Sequence, residues 1–243
     1  MITPDTLLQF LVDTTFNLAF MAMAGGAAYF LFMKDQISPR YRSTMVVSGV
    51  ILLIAALNYF YMKEWYAASV LAGDNSFPTS YRYIDWILTT PLMLMKFPLL
   101  LGLGGKGTSF MNKLIVLDVL MILFGFFGEI LIDIPLIHYS FFAAGITCWL
   151  GILYLLITAT RNLPERFPLA VRKCVKVMAL FVAVGWTIYP LGYILPSFGL
   201  PQDVRELVYN VGDIINKVGL AVVVYIAAAK MTRQEQELDS IDT

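Results

Sequence analysis

Two stretches of this chain carry ionisable side chains at helical spacing inside otherwise apolar sequence. The first, YRYIDWILTTPLMLMKFPLLL at 81–101, places Arg82, Asp85, Thr89 and Lys96 at relative positions 0, 3, 7 and 14. At about 100° per residue these fall on one narrow arc of a helix, with Met93 beside it. Lys96 follows Asp85 by eleven residues, about 16 Å along a helix axis. The second, ELVYNVGDIINKVGLAVVVYIAAAK at 206–230, aligns Glu206, Tyr209, Asp213 and Lys217 on one face. Lys217 lies 13 residues from either end of the apolar run 204–230, too deep for its ammonium to snorkel easily to an interface. A lysine at that depth must pair with a carboxylate, give up its proton or form a covalent bond. Asp213 is one turn away, and Asp85 can come from the other stretch. The chemistry this permits is proton transfer between a buried nitrogen and a carboxylate, with a second amine further along.

The elements that position these groups follow from composition. The chain has 243 residues, 59% hydrophobic and 14% charged, with a mean hydropathy of +0.74. Soluble domains run at about 45–50% apolar and roughly 25% charged, so an integral membrane protein is expected. The net charge of zero gives no basic surface for nucleic acid. Cys148 and Cys174, with the single His138, have no metal-like or redox-like spacing. Seven runs are long enough to cross a bilayer as helices: 7–33, 42–63, 80–103, 112–134, 137–160, 171–196 and 204–230. The fold class is therefore an all-α bundle of seven transmembrane helices in a single domain over 1–243. The polar tail 231–243 is expected to be flexible. Short connections make neighbouring helices antiparallel, and no internal repeat suggests an inverted-repeat transporter. No basic region precedes the first run, so no cleaved signal is expected.

Lys34, Arg40, Arg42, Lys106, Lys113, Arg161, Arg166, Arg172, Lys173, Lys176, Lys230 and Arg233 fall on one side of these spans. Lys63 and Arg205 fall on the other, with Arg82 at a helix entrance. That asymmetry puts the N-terminus outside and the C-terminus in the cytoplasm, in keeping with a bacterial inner membrane.

Other groups are assigned as follows. Asp118 is expected to be a protonated, hydrogen-bonded packing residue. Glu129 and Asp133 are expected to be solvated, Asp13 to lie at the outer border, and His138 to be a surface residue in a loop. Trp186, Tyr189 and Tyr193 share a face beside Pro190. With Trp86 and Trp149 they suggest a slot for a flat apolar ligand. Pro91 and Pro190 each free a carbonyl four residues earlier, which neighbours must satisfy.

The segments RYIDWILTTPLMLMK at 82–96, GWTIYPLGY at 185–193 and RELVYNVGDIINKVG at 205–219 resemble the microbial rhodopsins, specifically their proteorhodopsin-like branch. The resemblance covers essentially the whole chain. It implies all-trans retinal on Lys217 as a protonated Schiff base, with Asp85 and Asp213 as counterions and Asp85 as proton acceptor. It implies Thr89 hydrogen-bonded near the Asp85 carboxylate and Arg82 polarising the extracellular exit. Trp86, Trp186, Tyr189 and Trp149 would sandwich the chromophore, with Tyr83, Thr90, Met121, Gly125 and Tyr193 as further pocket residues. The triplet Asp85, Thr89, Lys96, followed by FPLLLG, is similar to the Exiguobacterium-type proton pumps, which place lysine where others have a carboxylate donor. It fits neither the chloride-pump nor the sodium-pump pattern.

The function the resemblance implies is a light-driven outward proton pump, a transporter of protons in the lipid membrane rather than an enzyme, expected to be a homo-oligomer. Burial penalises a charged lysine, so Lys96 could rest neutral, take a proton when water enters, and then pass it to the Schiff base. Met93 brings no hydrogen-bonding group to the chromophore, so green absorption is expected. A departure from the branch lies in the second span, where ALNYFYMK puts Asn58 at the position of a histidine that commonly bonds the acceptor aspartate. Asp85 is therefore expected to titrate without an imidazole partner. A carotenoid antenna would need an opening between the fifth and sixth spans, where Phe142 stands. The alternative function is a photosensor signalling through a membrane partner. A retinal-free transporter or receptor is a third class, betrayed by the absence of a visible band when retinal is added.

Overall fold

The seven apolar runs dictate seven helical spans. The computed structural model, which describes residues 4–73, 77–103, 105–161 and 163–241, has one in each. The side chain of Lys106 and the tail residues 242–243 lie outside the described residues. The first five spans are single helices: α1 (Pro4–Met33), α2 (Pro39–Ala72), α3 (Arg82–Leu101), α4 (Gly105–Ile130) and α5 (Pro135–Arg161). The sixth comprises α6 (Leu169–Ala183), a 3-10 turn at Gly185–Thr187, α7 (Ile188–Ile194) and a second 3-10 turn at Leu195–Phe198. The seventh comprises α8 (Gln202–Asp213), a π-helical turn at Ile214–Gly219 and α9 (Leu220–Ile241). No strand occurs among the described residues.

Consecutive spans pack side by side, and the seventh closes the ring: α8 lies on α1, and α9 on α2 and α6. α3 touches α2, α4 and α6 and is the interior helix. Of the most apolar window of its span 56% is buried, against 17% for the α4 span. That difference explains why ionisable residues are tolerated on α3: they face protein. Large apolar side chains such as Phe10, Met21, Phe32, Leu71 and Tyr154 are exposed, as a lipid-facing surface requires.

Two spans outrun their apolar sequence. Pro39 suits the first turn of α2, where its missing N–H costs nothing. The helix then continues beyond residue 63 because Tyr66 and Ser69 are buried. It ends at Gly73, whose φ of 71° lets its N–H reach the Ser69 and Val70 carbonyls. The expected flexible tail is helical through Ile241. Met231 and Thr232 are buried, and the Ser38 N–H donates to Thr232 Oγ1 at 2.9 Å, which ties this end of the seventh span to the start of the second.

The irregular turns in the sixth and seventh spans face each other. Pro190 denies the Trp186 carbonyl its helical donor, and the chain tightens at Gly185–Thr187. Neighbours supply donors at this break. Trp149 Nε1 donates to the Val182 carbonyl at 3.1 Å, and Asn216 Nδ2 to the Gly185 carbonyl at 2.9 Å. A break whose backbone groups are satisfied this way is stable in lipid.

Candidate functional site

Lys217 projects from the π-helical turn into the bundle, 2% exposed. Such wide turns re-aim side chains and cluster at functional sites. Its Nζ donates to Asp213 Oδ2 at 2.9 Å and to Asp85 Oδ2. The periodicity of the two apolar stretches thus brings together the three groups it singled out. The two carboxylates differ in their other partners. Asp213 accepts from the hydroxyls of Tyr59 at 2.9 Å and Tyr189 at 2.7 Å, and from Trp86 Nε1 at 3.3 Å. Asp85 Oδ1 is buried with no hydrogen-bond partner among the described residues. Asp213 is a fully held anion; Asp85 keeps an open oxygen that can take a proton.

Thr89 donates to the Asp85 backbone carbonyl at 2.9 Å, so it sits beside the aspartate through its main chain. The expected amide partner does not reach Asp85. Asn58 Nδ2 donates to the Tyr81 carbonyl at 3.4 Å and contacts Met62 Sδ at 3.6 Å. The adjacent Tyr59 is the residue of the second span that enters the site.

On one side of Lys217, Arg82 stands at the entrance of α3, as expected, and is fully buried there. It donates to Glu206 Oε2 from Nε at 2.8 Å, to the Tyr59 hydroxyl at 3.0 Å and to Asn210 Oδ1 at 2.6 Å. The Phe16, Tyr59 and Tyr209 rings surround its guanidinium within 5.6 Å. Glu206 also accepts from Thr79 Oγ1 at 2.5 Å. Arg205 donates to Thr79 at 2.6 Å and pairs with Glu129 at 2.8 Å. Arg205, counted in the sequence as a loop cation, is buried, and Glu129, expected to be solvated, is its partner with a side chain only 10% exposed. The pairing across α4 and α8 accounts for both differences. Asp133 is exposed, as expected. Tyr59 links Asp213 to Arg82, so bonded groups run without a gap from Lys217 to Glu129.

On the other side, Lys96 is 1% exposed and makes no hydrogen bond or ion pair among the described residues. The Cys174 thiol of α6 is its polar neighbour. Asp118 is buried and bonded to Thr90 Oγ1 at 2.8 Å, the packing role expected of it.

A cavity shares Trp86 and Tyr189 with the hydrogen bonds on Asp213, although Lys217 is not itself among its lining residues; its empty space is about 690 Å³ with open solvent included. Tyr83, Trp86, Thr90, Met121, Gly125, Trp149, Trp186, Tyr189 and Tyr193 all line it. Gly125 matters by its size: a Cβ there would stand 2.8 Å from the Tyr83 ring. Met93 is buried but packs in the core cluster rather than on the cavity. Phe142 lines the cavity and stacks on Tyr193 with ring centroids 5.1 Å apart, filling the space between α5 and α7. A flat, mostly apolar polyene fits this lining, and the buried amine with its two carboxylates fits a cationic linkage at one end.

The family model described as Bacteriorhodopsin-like protein matches residues 10–231. The chain belongs to this family of microbial rhodopsins. The blue-light absorbing proteorhodopsin of Gamma-proteobacterium Hot 75m4 is 30% identical over 225 residues, covering 90% of this chain and 86% of that one. The green-light absorbing proteorhodopsin of Gamma-proteobacterium EBAC31A08 is 29% identical over 221 residues, covering 89% and 86%. The crystal structure of Exiguobacterium sibiricum rhodopsin superposes with a TM-score of 0.84 at 37% identity, covering 93% of this chain and 98% of that one. These place the rhodopsin in the proteorhodopsin-like branch, in an all-helical, seven-span membrane fold.

Several site residues of this rhodopsin escaped the sequence reading. Tyr59, Thr79, Asn210 and Asn216 are polar residues within or beside apolar runs, and that oddity was the available signal. Tyr209 was read as part of a face but not as cavity lining, and Gly145 and Ile146 carried no signal at all. His138 was placed in a surface loop; it lies within α5 and is 3% exposed. Pro135 starts that helix at its first position, so the loop ends earlier than the hydropathy suggests.

Proposed function

We propose that this rhodopsin is a light-driven outward proton pump carrying all-trans retinal on Lys217 as a protonated imine. The observation that carries the reading is the buried Lys217 nitrogen held between Asp85 and Asp213 beside an aromatic slot. Retinal, when bound, supplies light absorption and a light-driven change of shape at the Lys217 nitrogen.

The protein's own groups do the rest. In the dark, the positive nitrogen and the Asp85 carboxylate stabilise each other. Once that pairing is disturbed, the proton moves to Asp85, whose free oxygen accepts it, while Asp213 stays anionic under three donors. Arg82, Glu206, Arg205 and Glu129 carry charge rearrangement on toward the Arg82 end. Lys96 returns a proton to the nitrogen from the opposite end. Its isolation in apolar surroundings favours the neutral amine until water arrives.

Direction is supported by the cations. Arg40, Arg42, Arg161, Arg172, Lys173, Lys230 and Arg233 fall at the Lys96 end, which makes that end cytoplasmic and the N-terminus external. The bacterial relatives support a bacterial inner membrane.

The test is illumination of expressing cells in unbuffered medium with retinal supplied. Expected is acidification that an uncoupler abolishes and that Lys217→Ala lacks, together with loss of the visible band. A pigment that forms but moves no protons would replace the pump with a photosensor; no pigment at all would remove the retinal reading.

A further inference from the structure

His138 is the only histidine in the chain, and the transport route above makes no use of it. Its ring stacks on Tyr193 with centroids 4.7 Å apart and planes at 13°. Tyr193 stacks in turn on Phe142, 5.1 Å away at 19°. His138 Nδ1 lies 2.8 Å from the Gly128 carbonyl and 3.1 Å from the Tyr193 hydroxyl. The carbonyl can only accept, which assigns the neutral ring's proton to Nδ1 and leaves Nε2 to take another. A Cβ at Gly128 would collide with the Tyr193 hydroxyl, so α4 holds the stack closely. Tyr193 and Phe142 both line the cavity. The imidazole therefore stands one aromatic ring outside the cavity wall.

Phe142 and the imidazole stand on a different helix from Lys217 and its carboxylates. Phe142 belongs to α5, which packs on α4 and α6, whereas Lys217 and its carboxylates belong to α3 and the seventh span. The charged and titratable groups around His138 are few. From α4, Glu129 is paired with Arg205 of α8 at 2.8 Å. Asp133, beyond α4, is exposed. From α5, Tyr139 meets the imidazole edge-on at 5.0 Å and donates to Ser197 at 2.9 Å. From α7 there is Tyr193 itself. Glu129 is already paired and Asp133 is exposed, so a second proton on His138 adds positive charge at this end of the cavity.

We propose that His138 is a proton-dependent colour-tuning residue that acts through Tyr193, opposite in sign to Asp85. This rests on reading the cavity as a retinal site. Excitation of a protonated imine polyene moves positive charge from the nitrogen toward the far end. A cation behind Tyr193 opposes that movement, widens the gap and shifts absorption to shorter wavelength. Protonating Asp85 removes an anion beside the nitrogen, raises the ground state and shifts absorption to longer wavelength. Acidification therefore produces two shifts of opposite direction from two ends of one cavity.

A single histidine makes the test direct. Protein labelled with ¹⁵N-histidine shows one imidazole, followed by NMR with and without retinal across about pH 5–8, where histidine ordinarily changes charge. Visible spectra are taken on the same pigment samples. Expected is a second proton on the imidazole in both preparations and a blueward shift of a few nanometres with the same midpoint. His138→Phe, which keeps a stacking ring without charge, and His138→Gln both lose that shift and keep the longer-wavelength shift due to Asp85. The proposal is overturned if the imidazole protonates and the colour stays, if the blueward shift survives in either variant, or if the imidazole never protonates while the protein is folded. A colourless wild type refutes the retinal reading, and this inference with it; a coloured wild type lacking the shift refutes this inference alone.

Discussion

The Arg82 end and the Lys96 end of the bundle treat charge in opposite ways. At the Arg82 end, two guanidinium groups and two carboxylates interlock through Thr79, Tyr59 and Asn210, and every link is a short hydrogen bond. At the Lys96 end a single amine stands among apolar side chains with no such bond among the described residues. Buried charges are tolerated when paired and penalised when alone. One half of the protein is therefore wired for charge at rest, and the other resists charge until its surroundings change. On the proposed function, a proton leaving the Lys217 nitrogen would meet acceptors on one side and an apolar layer on the other. That inequality is the physical content of a direction.

Removing the acceptor should break the comparison most severely. Asp85→Asn leaves the wired end with nothing to receive the proton. Light-driven acidification should fall by about a hundredfold or more, as for loss of a proton-transfer group. The pigment should absorb at longer wavelength, read from the same cells. Lys96→Gln attacks the insulated end. Reprotonation after a flash should slow by about 10²-fold while the resting colour is kept; unchanged kinetics would deny Lys96 its donor role.

Stability should respond to the wiring itself. Glu206→Gln strips the charge partner from fully buried Arg82, a loss of about 3–5 kcal/mol for a broken buried pair. Glu129→Gln leaves Arg205 near Glu206 at 3.6 Å and bonded to Thr79, so it should cost only about 1–2 kcal/mol. Thermal bleaching of the two variants ranks them. The smallest effect is expected from Met93→Gln. Glutamine would bring a hydrogen-bonding group toward the chromophore, which predicts a blueward shift, yet Met93 packs outside the cavity lining. A weak shift, or one delivered only through repacking, is the outcome to measure by absorption spectroscopy.

What the sequence made legible follows the same division. Asp85, Asp213 and Lys217 could be found because each is a costly residue in the middle of an apolar run, and helical period alone aligns them. Lys96 was found for the same reason. The wired end was harder. Glu129, Arg205 and His138 lie near span ends, where a charged or polar residue ordinarily meets water, and only contacts between α4, α5 and α8 bury them. No one-dimensional pattern encodes such contacts. The π-helical turn at Ile214–Gly219 was equally hidden, since IINKVG carries no marker that separates it from regular helix. The 3-10 turn beside it was half visible, because Pro190 announced a break without giving its shape. Asn58 shows the limit of positional analogy: the residue sits where expected, but its amide turns to the Tyr81 carbonyl.

The bond between Ser38 and Thr232 has a bearing on how the Lys96-side ends of the spans are held together. It fastens the second and seventh spans at their Lys96-side ends, so neither can swing away without breaking it. α6 is fastened to α9 by packing and borders Lys96 through Cys174, and it hangs from the broken segment at Gly185. Separating those two ends would therefore cost this bond, whereas α6 meets α7 across the 3-10 turn at Gly185–Thr187.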